Sequence, residues 1–180
     1  MKSVRAAALF LTFLLWAAPA GRCLGEAKPW TGGMFMESCG FADAAFLPAA
    51  GCLSVGLFLE PLALPAFNPA VFAGMLLPVA PWQADALALR AGLELTLFDA
   101  RLPWLYRTFY AALRWSPALG AGLLYRLDGS GLRFTLSASP LRIRAGDAVF
   151  TLCSPELLLD EQGRPQGWGA VLFQAALFRF

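Results

Sequence analysis

From Leu87 to Phe98 the chain reads LALRAGLELTLF, with leucine or alanine at every odd position and Ala88, Arg90, Gly92, Glu94, Thr96 and Phe98 at the even ones. At about 100° per residue the leucines scatter around a helix axis, whereas at about 180° they fall on one face, so the stretch predicts a β-strand. The alternation recurs. LSVGLFLE (53–60) sets Leu53, Val55, Leu57 and Leu59 against Ser54, Gly56, Phe58 and Glu60. LGAGLLYRL (119–127) and LRFTLSA (132–138) alternate on either side of DGSG, a glycine-rich connection that closes a hairpin.

Taken along the whole chain, the pattern predicts eight strands: 53–60, 71–77, 87–98, 104–115, 119–127, 131–138, 141–154 and 168–180. Two places leave alternatives open. LPWLYRTFYAALRW (102–115) is a strand with Arg107 on its apolar face, or an interfacial helix gathering Leu102, Leu105, Tyr106, Phe109 and Leu113 on one arc. The run from 141 to 159 is one strand, or is split at Ala145-Gly146-Asp147. DEQGRPQG (160–167) is the loop before the last strand, and 61–69, 99–103, 128–130 and 160–167 are the expected outward loops.

A bundle of spanning helices does not fit, because Pro48, Pro61, Pro65, Pro69, Pro78 and Pro81 cut the most apolar region. Composition then asks which face of the strands meets water. The chain is 58% hydrophobic, has a mean hydropathy of +0.60 and is only 14% charged, too few polar side chains to cover a soluble domain of 180 residues. The mixed face is mostly Gly, Ala, Ser, Thr and a few Arg, which suits a narrow lumen; the leucine face then meets lipid. Trp104, Tyr106, Trp115, Tyr125 and Trp168 lie near strand ends, where interfacial girdles belong. The expected fold is therefore all-β: an antiparallel up-and-down transmembrane β-barrel of about eight strands. The competing reading is a soluble periplasmic lipocalin-like carrier with an apolar cavity.

The N-terminus reads as an export signal. MKSVR supplies two cations, AAALFLTFLLWAA an apolar core, and Ala18-Pro19-Ala20 a small-x-small cleavage site. Three parts follow: a signal peptide over 1–20, an N-terminal segment over 21–50 serving as plug or periplasmic extension, and a barrel over 51–180. Cleavage leaves Cys23, Cys39, Cys52 and Cys153, enough for two disulfides, with Cys39 and Cys52 the candidate pair that holds the N-terminal segment.

Candidate chemistry is sparse. The chain has no histidine, no Cys-x-x-C, no Walker loop and no dinucleotide fingerprint, so no catalytic residue, metal site or cofactor is expected. A net charge of +2 without a basic run gives no footprint for nucleic acid. What stands out is the charge on the mixed face: Arg90, Arg126, Arg133, Arg142 and Arg144 against Glu94 and Glu60. These arginines form a structural lumen network with the carboxylates, or else an anion-attracting path or pocket for a small solute.

The final stretch LFQAALFRF, closing on Phe180 with Phe178 two residues before, resembles the C-terminal strand of bacterial outer-membrane β-barrel proteins. In that family a terminal aromatic with alternating apolar residues is read by the insertion machinery. The resemblance implies outer-membrane lipid and that machinery as partners, and a non-catalytic protein of the outer membrane that is structural, or a narrow conduit or binder for a small solute.

Overall fold

A computed structural model describes residues 31–43, 51–60, 66–80, 87–102, 113–129, 131–145 and 148–178, and among these every regular element is a strand. Eight strands run in chain order: β1 (Thr31–Ala42), β2 (Gly51–Glu60), β3 (Ala66–Ala80), β4 (Ala88–Phe98, continued by Ala100–Arg101), β5 (Leu113–Trp115, continued by Ala118–Arg126), β6 (Leu132–Ser139, continued by Leu141–Ala145), β7 (Ala148–Leu159) and β8 (Pro165–Phe178). Each pairs antiparallel with the next, and β8 returns to β1, from Gly33 opposite Phe178 to Ala42 opposite Trp168. The sheet is thus a closed up-and-down β-barrel without a free edge, and its interior is only wide enough for side chains or one small ligand.

The number of strands is the expected one, but its membership differs. Thr31–Ala42, expected within a plug or extension, is β1 and forms two full ladders in the wall. Its alternation is hidden because both faces are apolar in places: Phe35, Cys39 and Phe41 point inward, Met34 and Met36 outward. The expected strand 104–115 does not stand alone; Leu113–Trp115 opens β5, and 103–112 lie outside the described residues. The expected strand 141–154 is divided, its first part continuing β6 and its second belonging to β7, with Ala145 opposite Ala148. This is the split at 145–147. The DGSG connection does close a hairpin, with Gly129 in the left-handed conformation (φ 75°) and its N–H donating to the Arg126 carbonyl.

These changes rearrange the loops. One end of the barrel has Ala42 and Gly51, Ala80 and Ala88, Arg126 and Leu132, and Leu159 and Pro165; the other has Thr31 and Phe178, Glu60 and Ala66, Arg101 and Leu113, and Ala145 and Ala148. The outward set expected from sequence mixed the two ends.

Side chains sort by face with an inverted polarity. Buried positions include Glu37, Asp43, Glu60, Arg90, Thr96, Thr135, Arg142, Thr151 and Glu156, while Met34, Leu57, Leu119, Leu136, Leu172 and Leu177 are exposed, Leu57 by 58%. Trp115, Tyr125 and Trp168 stand on the outside near strand ends, Trp168 exposed by 66%; Trp104 and Tyr106 lie outside the described residues. In β8 the inward positions include Gln174 and Ala176, so the apolar outer row is Leu172, Phe173 and Leu177.

Three neighbouring strands change phase at one level. Pro140 and Leu141 in β6, Leu152 and Cys153 in β7, and Leu172 and Phe173 in β8 are consecutive pairs that both face outward. Leu152 is opposite Leu141 on one side and Phe173 on the other, so the three irregularities abut. Cys153 takes φ 48°, the strained backbone of a bulge. The phase change explains why inward arginines are odd-numbered at Arg133 but even-numbered at Arg142 and Arg144.

Glycines on the inner wall make space for aromatic rings. A Cβ on Gly56 or Gly74 would lie 2.7 or 2.9 Å from the Phe35 ring, and one on Gly92 would lie 2.7 Å from Phe72. Gly56 and Gly74 are ladder partners, as are Phe72 and Gly92, so the two rings rest on a bare inner surface and meet edge to face at 6.1 Å. Phe35 belongs to one apolar interior cluster with Phe58, Val149 and Ala176; Cys39, Phe41, Leu76, Leu124 and Leu158 belong to a second.

Candidate functional site: the charged interior

The inside of the barrel also holds ion pairs drawn from every strand but β3 and β8. Arg90 on β4 forks between Glu37 on β1 and Glu156 on β7, one guanidinium nitrogen to each carboxylate. All three side chains are almost completely buried. Gln174 on β8 donates to the second oxygen of Glu37 at 3.3 Å, and the Phe72 ring of β3 lies 5.4 Å from the Arg90 guanidinium carbon. A fork that meets two carboxylates is a role lysine, whose three donors share one nitrogen, fills poorly.

Toward the end with Thr31 and Phe178 a second group forms. Arg142 Nε lies 3.0 Å from Glu94, and its other nitrogens reach Thr96 and, at 3.9 Å, Glu60. Arg144 pairs with the same Glu60. At the opposite end Arg133 Nε donates to Asp43 at 3.0 Å, and Arg126 pairs with Asp128 of the hairpin. Every one of the six lumen candidates, Arg90, Glu94, Arg126, Arg133, Arg142 and Arg144, is therefore engaged in an ion pair.

The structure also corrects the charge balance. Against the five arginines stand five inward carboxylates, Glu37, Asp43, Glu60, Glu94 and Glu156. Sequence reading saw only Glu60 and Glu94, because Glu37 and Asp43 lie in the segment expected to be a plug and Glu156 falls two residues beyond an expected strand end. The signal was there: five arginines on a buried face demand acidic partners, and Glu37 shares its parity with Phe35 and Cys39 on β1. An excess of positive charge, the basis for an anion path, is absent from these groups.

Around Arg90 the interior is also nearly filled. Glu37, Arg90, Glu94, Ser137, Ser154 and Glu156 are among the residues around a cavity of about 20 Å³, room for roughly one water molecule. Glu156 Oε2 and Arg90 Nε have no protein partner, and both residues line that cavity. At this level the barrel offers a hydration site, far below the ~300 Å³ typical of a small-molecule pocket.

Cys39 and Cys52 face each other at one register position across β1 and β2, both buried and both thiols, with Cys39 Sγ 3.7 Å from the Cys52 carbonyl oxygen. Cys153 is exposed on the outer wall, and Cys23 lies outside the described residues. Among the described residues no group of three or more acidic or cysteine side chains could hold a metal ion. Compared with known proteins, the chain matches no family model and no curated relative.

Proposed function

We propose that this chain is an integral β-barrel of the outer membrane, exported through residues 1–20, whose interior is a non-catalytic structural network. The observation that carries the reading is the inverted polarity: an outer wall of exposed Leu, Met and Val around an inside of paired Arg and Glu. A water-soluble barrel would reverse that arrangement, because an exposed apolar surface of this extent costs about 25 cal/mol for each Å² kept in water. Outward Trp115, Tyr125 and Trp168 near strand ends support the same reading as interfacial anchors. The C-terminal resemblance supports it less, since Gln174 and Ala176 face inward.

The polar filling favours a structural barrel over a conduit, and it gives a lipocalin-like carrier no apolar chamber at the level of Arg90. Fractionation tests the proposal. The mature chain, starting at Gly21, should pellet with outer membranes, resist carbonate extraction and run faster on gels unheated than boiled. Recovery as a soluble protein would reject it. Reconstituted in planar bilayers, the intact barrel should show no steady conductance; a stable anion-selective current would restore the conduit.

A further inference from the structure

The ladder between β6 and β7 is interrupted at its middle. Residues 141–145 pair with 148–152 and residues 134–137 pair with 156–159 in a single register, but the three positions between, 138–140 against 153–155, carry no ladder. Continuing the register sets Pro155 opposite Ala138 and Pro140 opposite Cys153. Each proline lacks an N–H donor at its position, which accounts for the gap once the register sets the two on one seam.

Side chains close part of the gap chemically. Ser154 Oγ donates to the Ala138 carbonyl at 2.9 Å and lies 2.9 Å from Ser139 Oγ, and Trp115 Nε1 donates to the Pro140 carbonyl at 2.6 Å. On the outer wall the same seam forms a groove of about 320 Å³ lined by Leu136, Ser137, Ala138, Pro155, Glu156 and Leu157. Ser137 and Glu156 also line the interior cavity, so the same two residues border the outer groove and the inner one.

Resting on the membrane reading above, we infer that this seam is a lateral binding groove for the hydrocarbon chain of a membrane lipid. The groove opens among exposed leucines, Leu136 and Leu157 at its rim and Leu141 and Leu152 along the same wall. Its backbone offers little to a polar or strand-forming partner: the two prolines have no N–H, and the Ala138 and Pro140 carbonyls are already engaged. A second copy adding a strand would need those groups. An acyl chain asks for none of them, and it is the solvent at that depth.

The test is photolabelling of the full mature barrel in phosphatidylcholine vesicles that contain a phospholipid with a diazirine in its acyl chain, mapped by mass spectrometry. Adducts should concentrate several-fold on peptides spanning 136–141 and 152–157 relative to the β2–β3 wall bearing Leu57 and Val71. Ala138→Phe, which fills the groove, should remove that excess. Even labelling of both walls would overturn the groove while leaving a membrane barrel. Failure to enter vesicles at all would overturn the membrane reading with it. Dimers cross-linked through Cys153, with the groove unlabelled, would assign the surface to a second copy and overturn the lipid.

Discussion

Arg90 and Glu156, 66 residues apart in the chain, meet as a buried ion pair across the barrel interior, and Glu37 completes the fork from the first strand. One guanidinium thereby ties β4 to both β1 and β7, on either side of the closing strand β8. Arg90→Met should leave two carboxylates buried without their cation and cost about 3–5 kcal/mol. Adding Glu37→Gln and Glu156→Gln to Arg90→Met should recover most of that loss, since the penalty belongs to the unpaired charges. Urea unfolding in lipid vesicles measures both. An Arg90→Met barrel as stable as the parent would remove the network from the forces holding the ring shut.

The wall of this barrel was legible in sequence wherever its two faces differ in polarity, as at Leu87–Phe98, and illegible where they do not. In β1 the inner row mixes Phe35, Cys39 and Phe41 with Glu37 while Met34 and Met36 lie outside, and no period of two shows. The arginines could be placed on the inner face because they share their parity with the small and polar residues, opposite an unbroken apolar row as at 87–97. Glu60 and Glu94 could be placed with them, but Glu37, Asp43 and Glu156 could not, because pairing such as Arg90 with Glu37 depends on the first strand's belonging to the closed ring. The Pro140 and Pro155 gap was equally hidden: each proline is ordinary at a strand edge, and only the register sets them beside one seam.

Cys39 and Cys52 occupy opposing ladder positions, where Cα atoms stand about 4.5–5.5 Å apart, within the range a disulfide spans. Exposed to an oxidising thiol–disulfide couple, the two thiols should lose two protons and two electrons to form a bond. The expected reading is a mass lower by two hydrogens on a peptide pair containing residues 39 and 52, with Cys153 left alkylatable. The closed loop is short, so stabilisation should be on the order of 3 kcal/mol. Oxidation that instead links Cys153 to either residue would contradict the barrel register.

Asp160 organises the hairpin between β7 and β8: its carboxylate accepts from the Arg164 amide at 2.8 Å, the Gln162 amide at 2.9 Å and the Gln166 side chain at 2.7 Å. These donors, the Arg164 amide foremost, hold its pKa below the ordinary aspartate value. A depressed carboxylate pKa means the hairpin's order is complete above the unfolded value and is lost as pH falls through the folded one. Amide resonances of Gln162 and Arg164 should therefore titrate together with a midpoint below the ordinary aspartate value. Asp160→Asn should abolish that titration. A midpoint above the ordinary value would show that the carboxylate does not hold the turn.

Leu57 sits on the outer face of β2, 58% exposed, with Met34 and Ala73 as its ladder partners. The two environments proposed for that face predict opposite responses to a charge. In water, replacing an exposed leucine by arginine changes stability by no more than about 0.5 kcal/mol and improves solubility. In hydrocarbon, Leu57→Arg places a guanidinium where it must snorkel or draw water inward, at a cost of about 2–4 kcal/mol near the midplane. Folding into lipid vesicles should therefore be weakened by that amount, whereas Leu57→Phe should fold as the parent does. The paired substitutions separate charge from volume. A Leu57→Arg protein that folds equally well, and does so without lipid or detergent, would place this wall in water and make the apolar surface a contact for another protein.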